Sequence, residues 1–144
     1  MRGRVTLIIG DSIVERQWLL KLCGPVLNAG IGSATTADFA GRVSAIVAAA
    51  RPARVVVNLG INDHARGVPE AVFAEHYLLI LNEIGDLPTL IVGVPGRHYE
   101  NTLRKLGRTY LPWPDVETHD GVHLTAHGAE QWQAAVSGAA CPIR

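Results

Sequence analysis

Short apolar runs alternate along the chain with longer stretches whose apolar positions recur every three or four residues. The runs at residues 4–9, 26–28, 54–59 and 89–94 are rich in Val, Ile and Leu and read as strands. Between them lie amphipathic segments. The first begins near Ile13, with Val14, Trp18 and Leu22 on one stripe and Gly24-Pro25 as its stop. A second covers residues 36–50, with Phe39, Val43, Ile46, Val47 and Ala50 on one face and Arg51-Pro52 at its end. A third starts at Pro69, turns Phe73, Tyr77, Ile80, Leu81 and Ile84 inward and is capped by Gly85. The last spans residues 124–136, with Thr125 as N-cap. Strand and helix patterns in alternation predict βαβ units: an α/β fold of three layers, α/β/α, around a flavodoxin-like parallel sheet of about five strands. No repeat, linker or low-complexity stretch interrupts the 144 residues, so a single domain over residues 1–144 is expected.

Composition narrows the choice of partner. Thirteen Lys plus Arg balance thirteen Asp plus Glu, which leaves no electrostatic footprint for nucleic acid or an anionic membrane surface. A small molecule is the expected partner. The N-terminal apolar run is soon broken by Asp11, Glu15 and Arg16, so it reads as neither a secretory h-region nor a spanning helix, and a cytoplasmic location is expected. Cys23 and Cys141 have no metal-ligand spacing and establish no disulfide; buried or surface thiols are the expectation.

The chemistry is concentrated just past the predicted strand ends. Gly10-Asp11-Ser12 closes the first run, Gly60-Ile61-Asn62-Asp63 the third, and Asp120-Gly121-Val122-His123 precedes the last helix. A serine hydroxyl attacks a carbonyl only when a base takes its proton and a third group orients that base, roles that His123 and Asp120 have the chemistry to fill. In open parallel sheets ligands bind outside the carboxyl ends of the strands, the edge where Ser12, Gly32 and Asn62 all fall. Ser12 also opens a predicted helix, whose orphan N–H groups favour developing negative charge. Taken singly, each block is an ordinary turn sequence with an N-cap; together and in this order they point to catalysis. Asp11 and Asp63 read as loop scaffolding. His119, His123 and His127 recur every four residues, but Asp120-Gly121 is a poor helix interior, so His119 and His127 are expected on either side of a bend rather than as zinc ligands. His64 and His98 read as solvated loop residues.

These three blocks, together with Asn28-Ala29-Gly30-Ile31-Gly32-Ser33 after the second run, span Gly10 to His123 and resemble the SGNH (GDSL-type) hydrolase family in kind and order. The resemblance implies Ser12 as nucleophile, His123 as base and Asp120 as its partner, with an oxyanion hole made by the Ser12 and Gly32 N–H groups and the Asn62 amide. One position departs from it: many members carry glycine where this chain has Ser33, so Gly32 and Ser33 are both open as the second backbone donor. The implied reaction is hydrolysis of a carboxylic ester, as a small-acyl esterase or deacetylase working through an acyl-serine, without metal or organic cofactor. A thioesterase or acyltransferase with the same triad, and a non-catalytic flavodoxin-like binding domain, are the alternatives. The G-x-S-x-G elbow of α/β-hydrolases and the Gly-Lys-Ser/Thr of P-loops are both missing around Ser12. The chain is short between Pro95 and His119 for this family, which implies a shallow site for a small acyl group. Tyr110, Trp113, Pro112 and Pro114 could wall it or pack the last sheet edge.

Overall fold

The computed structural model describes residues 4–17 and 20–141. Five strands, β1 (Thr6–Gly10), β2 (Val26–Gly30), β3 (Arg54–Asn58), β4 (Thr89–Val92) and β5 (Thr109–Leu111), form one sheet in the order β2-β1-β3-β4-β5. All four pairings are parallel. This is the expected three-layer α/β/α architecture.

The strands are apolar at consecutive positions because both faces are covered. Leu7, Ile9, Val55, Val57 and Ile91 pack on one face against Phe39, Val43, Phe73, Tyr77, Ile80 and Leu103. Ile8, Val56, Leu90 and Val92 point to the other, against Val14, Trp132 and Val136. The first face therefore carries α2 (Thr36–Phe39), α3 (Val43–Ala50), α5 (Glu70–Ile84) and α6 (Glu100–Arg104), and the second carries α1 (Ser12–Glu15) and α7 (Ala126–Ala140). In α5 the five residues expected to face inward are the buried ones, and Gly85 ends the helix at φ 70°. In α7, Thr125 caps the first turn by accepting the Gly128 N–H.

Two predicted helices are corrected. The first is a single turn: the Gln17 N–H closes onto Val14 O at 2.9 Å rather than onto Ile13 O, which accepts from Gln17 Nε2, and Asn28 Nδ2 also donates to Val14 O. Trp18, placed on its stripe, lies outside the described residues. The segment 36–50 is two helices broken at Gly41 (φ 91°), where Glu83 of α5 accepts from the Gly41 and Ser44 N–H groups and so caps α3 from outside. Short elements with too few residues to give a periodic signal were not predicted: α4 (Ile61–Ala65), a 3₁₀ turn (Pro95–Arg97), α6 and β5.

Cys23 and Cys141 are disulfide-bonded, which corrects the expectation of free thiols. Their Cα atoms lie 5.6 Å apart, joining the segment before β2 to the end of α7 across 118 residues of sequence. No helix among the described residues is long and apolar enough to cross a membrane.

Candidate active site

Register fixes where the site lies. Gly10 pairs with Gly30 on one side and Asn58 on the other, so three strands end level and their following loops share one edge. Ser12 and Gly32 each come two residues after such an end, and Asn62 comes four after.

Ser12 is the first residue of α1, and Asp11 is its N-cap. The Asp11 carboxylate accepts the Ile13 N–H through Oδ1 at 3.0 Å, while Oδ2 is buried without a partner among the described residues. The side chain is 0 % exposed, and this burial pushes its pKa up to about 6.

His123 approaches Ser12 from the other end of the chain. Its Nε2 lies 3.3 Å from Ser12 Oγ and its Nδ1 2.6 Å from Asp120 Oδ2. Asp120 Oδ1 accepts the N–H groups of His123 at 2.7 Å and Val122 at 2.9 Å. The hydrogen bond to the His123 ring, and then those to the two backbone N–H groups, hold the Asp120 carboxyl well below the usual carboxylate range. The turn carrying this pair is pinned to α7. An isolated bridge joins Thr118 to Leu124, Thr125 Oγ1 donates to Glu117 Oε1 at 2.6 Å, and Gln131 accepts the Glu117 N–H at 2.7 Å. Gly128 permits this contact, since a Cβ there would collide with the Glu117 carbonyl. Trp132, fully buried, then fixes α7 to the sheet by donating to Asn58 Oδ1 at 3.1 Å.

The second predicted group gathers around the turn after β2. Asn62 Nδ2 donates to Ala34 O at 3.0 Å, and the Ala34 N–H closes the turn onto Ile31 O at 3.1 Å. The Gly32 N–H is engaged by Glu15 Oε2 at 2.9 Å. Ser33 occupies the left-handed region at φ 64°, where glycine is usual, and Arg66 donates to its carbonyl at 3.1 Å. Asp63 lies behind, accepting from the Thr36 N–H and hydroxyl, and burial raises its pKa. Glu15 and Arg66 had no signal in the sequence. A Gly-Ser pair suggests a turn, but not which side chains from elsewhere hold it.

A cleft of about 600 Å³ opens at Ser12 and His123 and runs between the segment after α1 and α7, lined by Arg16, Gln17, Lys21 and Gln133 among others. Gly32, Ser33 and Asn62 are not among its walls, and neither are Tyr110, Trp113, Pro112 or Pro114. Tyr110 and Trp113 pack instead at the β5 edge, against opposite faces of the sheet. His119 and His127 are exposed. His64 and His98 stack face to face with ring centroids 3.3 Å apart, and burial lowers the His98 pKa, with His64 contributing. Among the described residues no group of three or more His, Cys, Asp and Glu is arranged to hold a metal ion.

The GDSL-like lipase/acylhydrolase family matches residues 8–106, more than half of the chain. The chain belongs to this family. The match takes in the Ser12, Gly32 and Asn62 blocks but ends before Asp120 and His123. No curated protein matches. Among solved structures, TesA aligns with a TM-score of 0.78 at 20 % identity, over 98 % of this chain and 100 % of its own. A GDSL-like lipase from Bacteroides thetaiotaomicron VPI-5482 aligns at 0.76 and 18 %, over 96 % of this chain and 88 % of its own. AlinE4, an SGNH-hydrolase family esterase, aligns at 0.66 and 24 %, over 99 % and 97 %. At these identities the structures establish the common fold, and the GDSL family match establishes the hydrolase membership.

Proposed function

We propose that this GDSL-family chain is a serine esterase that cleaves a small-acyl carboxylic ester, including acetylated substrates, through an acyl-serine. The observation that carries the reading is the hydrogen-bonded chain from Ser12 Oγ through the His123 ring to Asp120, with 3.3 and 2.6 Å steps assembled from opposite ends of the sequence. In this mechanism His123 Nε2 takes the Ser12 proton as Oγ bonds to the substrate carbonyl carbon. The Nδ1–H faces ionised Asp120, which stabilises the imidazolium. The C–O bond then breaks and Nε2 returns its proton to the leaving alcohol. Water attacks the acyl-serine, gives its proton to Nε2, and the carboxylic acid leaves as Ser12 recovers its hydrogen.

The oxyanion is received by N–H groups oriented before its charge develops. We assign these to the Ser12 N–H, the remaining hydrogen of the Asn62 amide and the Ser33 N–H. Ser33 replaces Gly32 in this role because the Gly32 N–H already donates to Glu15. The cleft lies beside His123, the group that protonates the leaving oxygen, so it suits the alcohol portion of the substrate. A small molecule, rather than nucleic acid or membrane, is the proposed partner. The Cys23–Cys141 bridge favours an oxidising compartment over the cytoplasm expected from the sequence.

The test joins a serine-directed phosphonate to a panel of p-nitrophenyl esters, acetylated sugars and acyl-thioesters. A phosphonyl adduct on Ser12 with turnover of short-chain esters is expected. Failure of both labelling and turnover would leave a flavodoxin-like binding domain, and preference for thioesters would move the assignment to thioesterase.

A further inference from the structure

We propose that Glu15 is a positioning residue for the oxyanion site, taking up the Gly32 N–H so that the turn presents the Ser33 N–H to substrate. This rests on the esterase reading above. The backbone donors of the turn can be followed one at a time. Ile31 donates to Gly10 O, Ala34 to Ile31 O, Thr35 to Asp38 and Thr36 to Asp63. Gly32 donates to Glu15. Among the described residues, the N–H of Ser33 alone between positions 31 and 36 has no acceptor. An unpaired donor between paired neighbours, at the same sheet edge as Ser12, is available for an oxyanion.

Ser33 holds φ 64° despite its Cβ, a conformation that persists only where its surroundings impose it. Two side chains bracket it. Glu15 fixes the N–H of the preceding residue and Arg66 fixes the Ser33 carbonyl, so the N–H between them cannot turn away without breaking one contact. Glu15 is also three residues beyond the nucleophile in the same helical turn, and its backbone is pressed against β2. A Cβ on Gly30 would lie 2.5 Å from Glu15 N. Glu15 therefore ties the position of Ser12 to that of the oxyanion turn.

Its charge works the other way, because a carboxylate near a developing oxyanion repels it. Geometry and charge thus predict opposite results for its removal. Glu15→Ala and Glu15→Gln are compared with wild type for kcat, KM and Tm on the best p-nitrophenyl ester of the panel. Glu15→Ala is expected to lower kcat by about 10- to 100-fold with KM little changed. Glu15→Gln, which keeps an acceptor oxygen, should recover most of that rate. Gly32→Ala gives an independent variant should Glu15→Ala fold poorly: its Cβ would sit 2.9 Å from Glu15 Oε1 and displace the carboxylate end, so its kcat should fall in the same direction. A Glu15→Ala enzyme as fast as or faster than wild type overturns the proposal, as does a Gln variant no better than Ala. A wild type that neither labels with phosphonate nor turns over esters removes the esterase reading itself, whereas a labelled wild type with an indifferent Glu15→Ala removes only the role of Glu15.

Discussion

The turn before α7 and the turn after β2 offer different kinds of group and are held differently. The turn before α7 delivers a side chain, the His123 ring, and is pinned through Glu117, Thr125 and Gly128 to a helix that Trp132 anchors in the core. The turn after β2 leaves the Ser33 N–H without an acceptor among the described residues and is pinned by the loose ends of side chains, Glu15, Asn62 and Arg66, arriving from other elements. A group delivered by a side chain leaves its residue type in the sequence. A backbone donor does not, and its identity depends on which neighbouring donors are already engaged.

The largest effects should come from the first turn. His123→Ala is expected to lower kcat by about 10^3 to 10^6, and combining it with Ser12→Ala should add little because the two act as a unit. Single-turnover assays on the folded variants test this; additive losses would separate the residues. Asp120→Asn should lower kcat by roughly 10^2 to 10^4 with the fold kept. Since hydrogen bonding depresses the Asp120 pKa, its support of His123 is present above the ordinary carboxylate range and lost only as pH falls through that depressed value. No limb of the pH–rate profile at mildly acidic pH should therefore disappear in Asp120→Asn.

In the second turn the expected losses are smaller. Asn62→Ala should reduce kcat by about 10^2 to 10^3 while KM changes little if, as proposed, the amide meets the oxyanion and not the ground-state carbonyl. An unchanged kcat would reduce Asn62 to a tether for Ala34.

Asp11 lies beneath Ser12, and its effect is on stability. Its folded pKa is raised to about 6, so the native state binds a proton more readily than the unfolded chain. Stability falls as pH rises from about 4 towards 6, and the full cost of about 3 kcal/mol is present above that window. Asp11→Asn keeps an acceptor for the Ile13 N–H and should raise stability near neutral pH by up to about 3 kcal/mol, with no gain near pH 4. Urea unfolding at the two pH values measures the difference. The smallest expected change is Ser33→Gly, which keeps the N–H and relieves the left-handed strain while adding freedom to the unfolded chain. Its stability should shift by no more than about 1 kcal/mol and its kcat should stay near wild type. A large fall in kcat would show that the serine hydroxyl itself takes part.

Much of the fold was legible because both periodicities are long enough to read. The α5 face from Phe73 to Ile84 and the runs at β1, β3 and β4 each commit several residues to one environment. The one-turn α1 and the break at Gly41 were not legible. Each depends on a distant residue, Asn28 against Val14 O and Glu83 against the N-terminus of α3, taking a backbone group that a regular helix would have satisfied itself. The disulfide was hidden for a similar reason, since nothing in the separation of Cys23 from Cys141 indicates that the end of α7 lies beside the segment before β2.

The sequence by itself determined the strand and helix alternation, the sheet edge at which Ser12 and Asn62 lie, and the Asp120-x-x-His123 pair, because local periodicity and residue chemistry carry that information. Only the tertiary structure decided that His123 reaches Ser12, that Glu15 occupies the Gly32 N–H and that the Ser33 N–H has no acceptor among the described residues. Those outcomes depend on through-space competition for hydrogen-bond partners among residues far apart in the chain, and a backbone donor looks the same at every position until its competitors are in place.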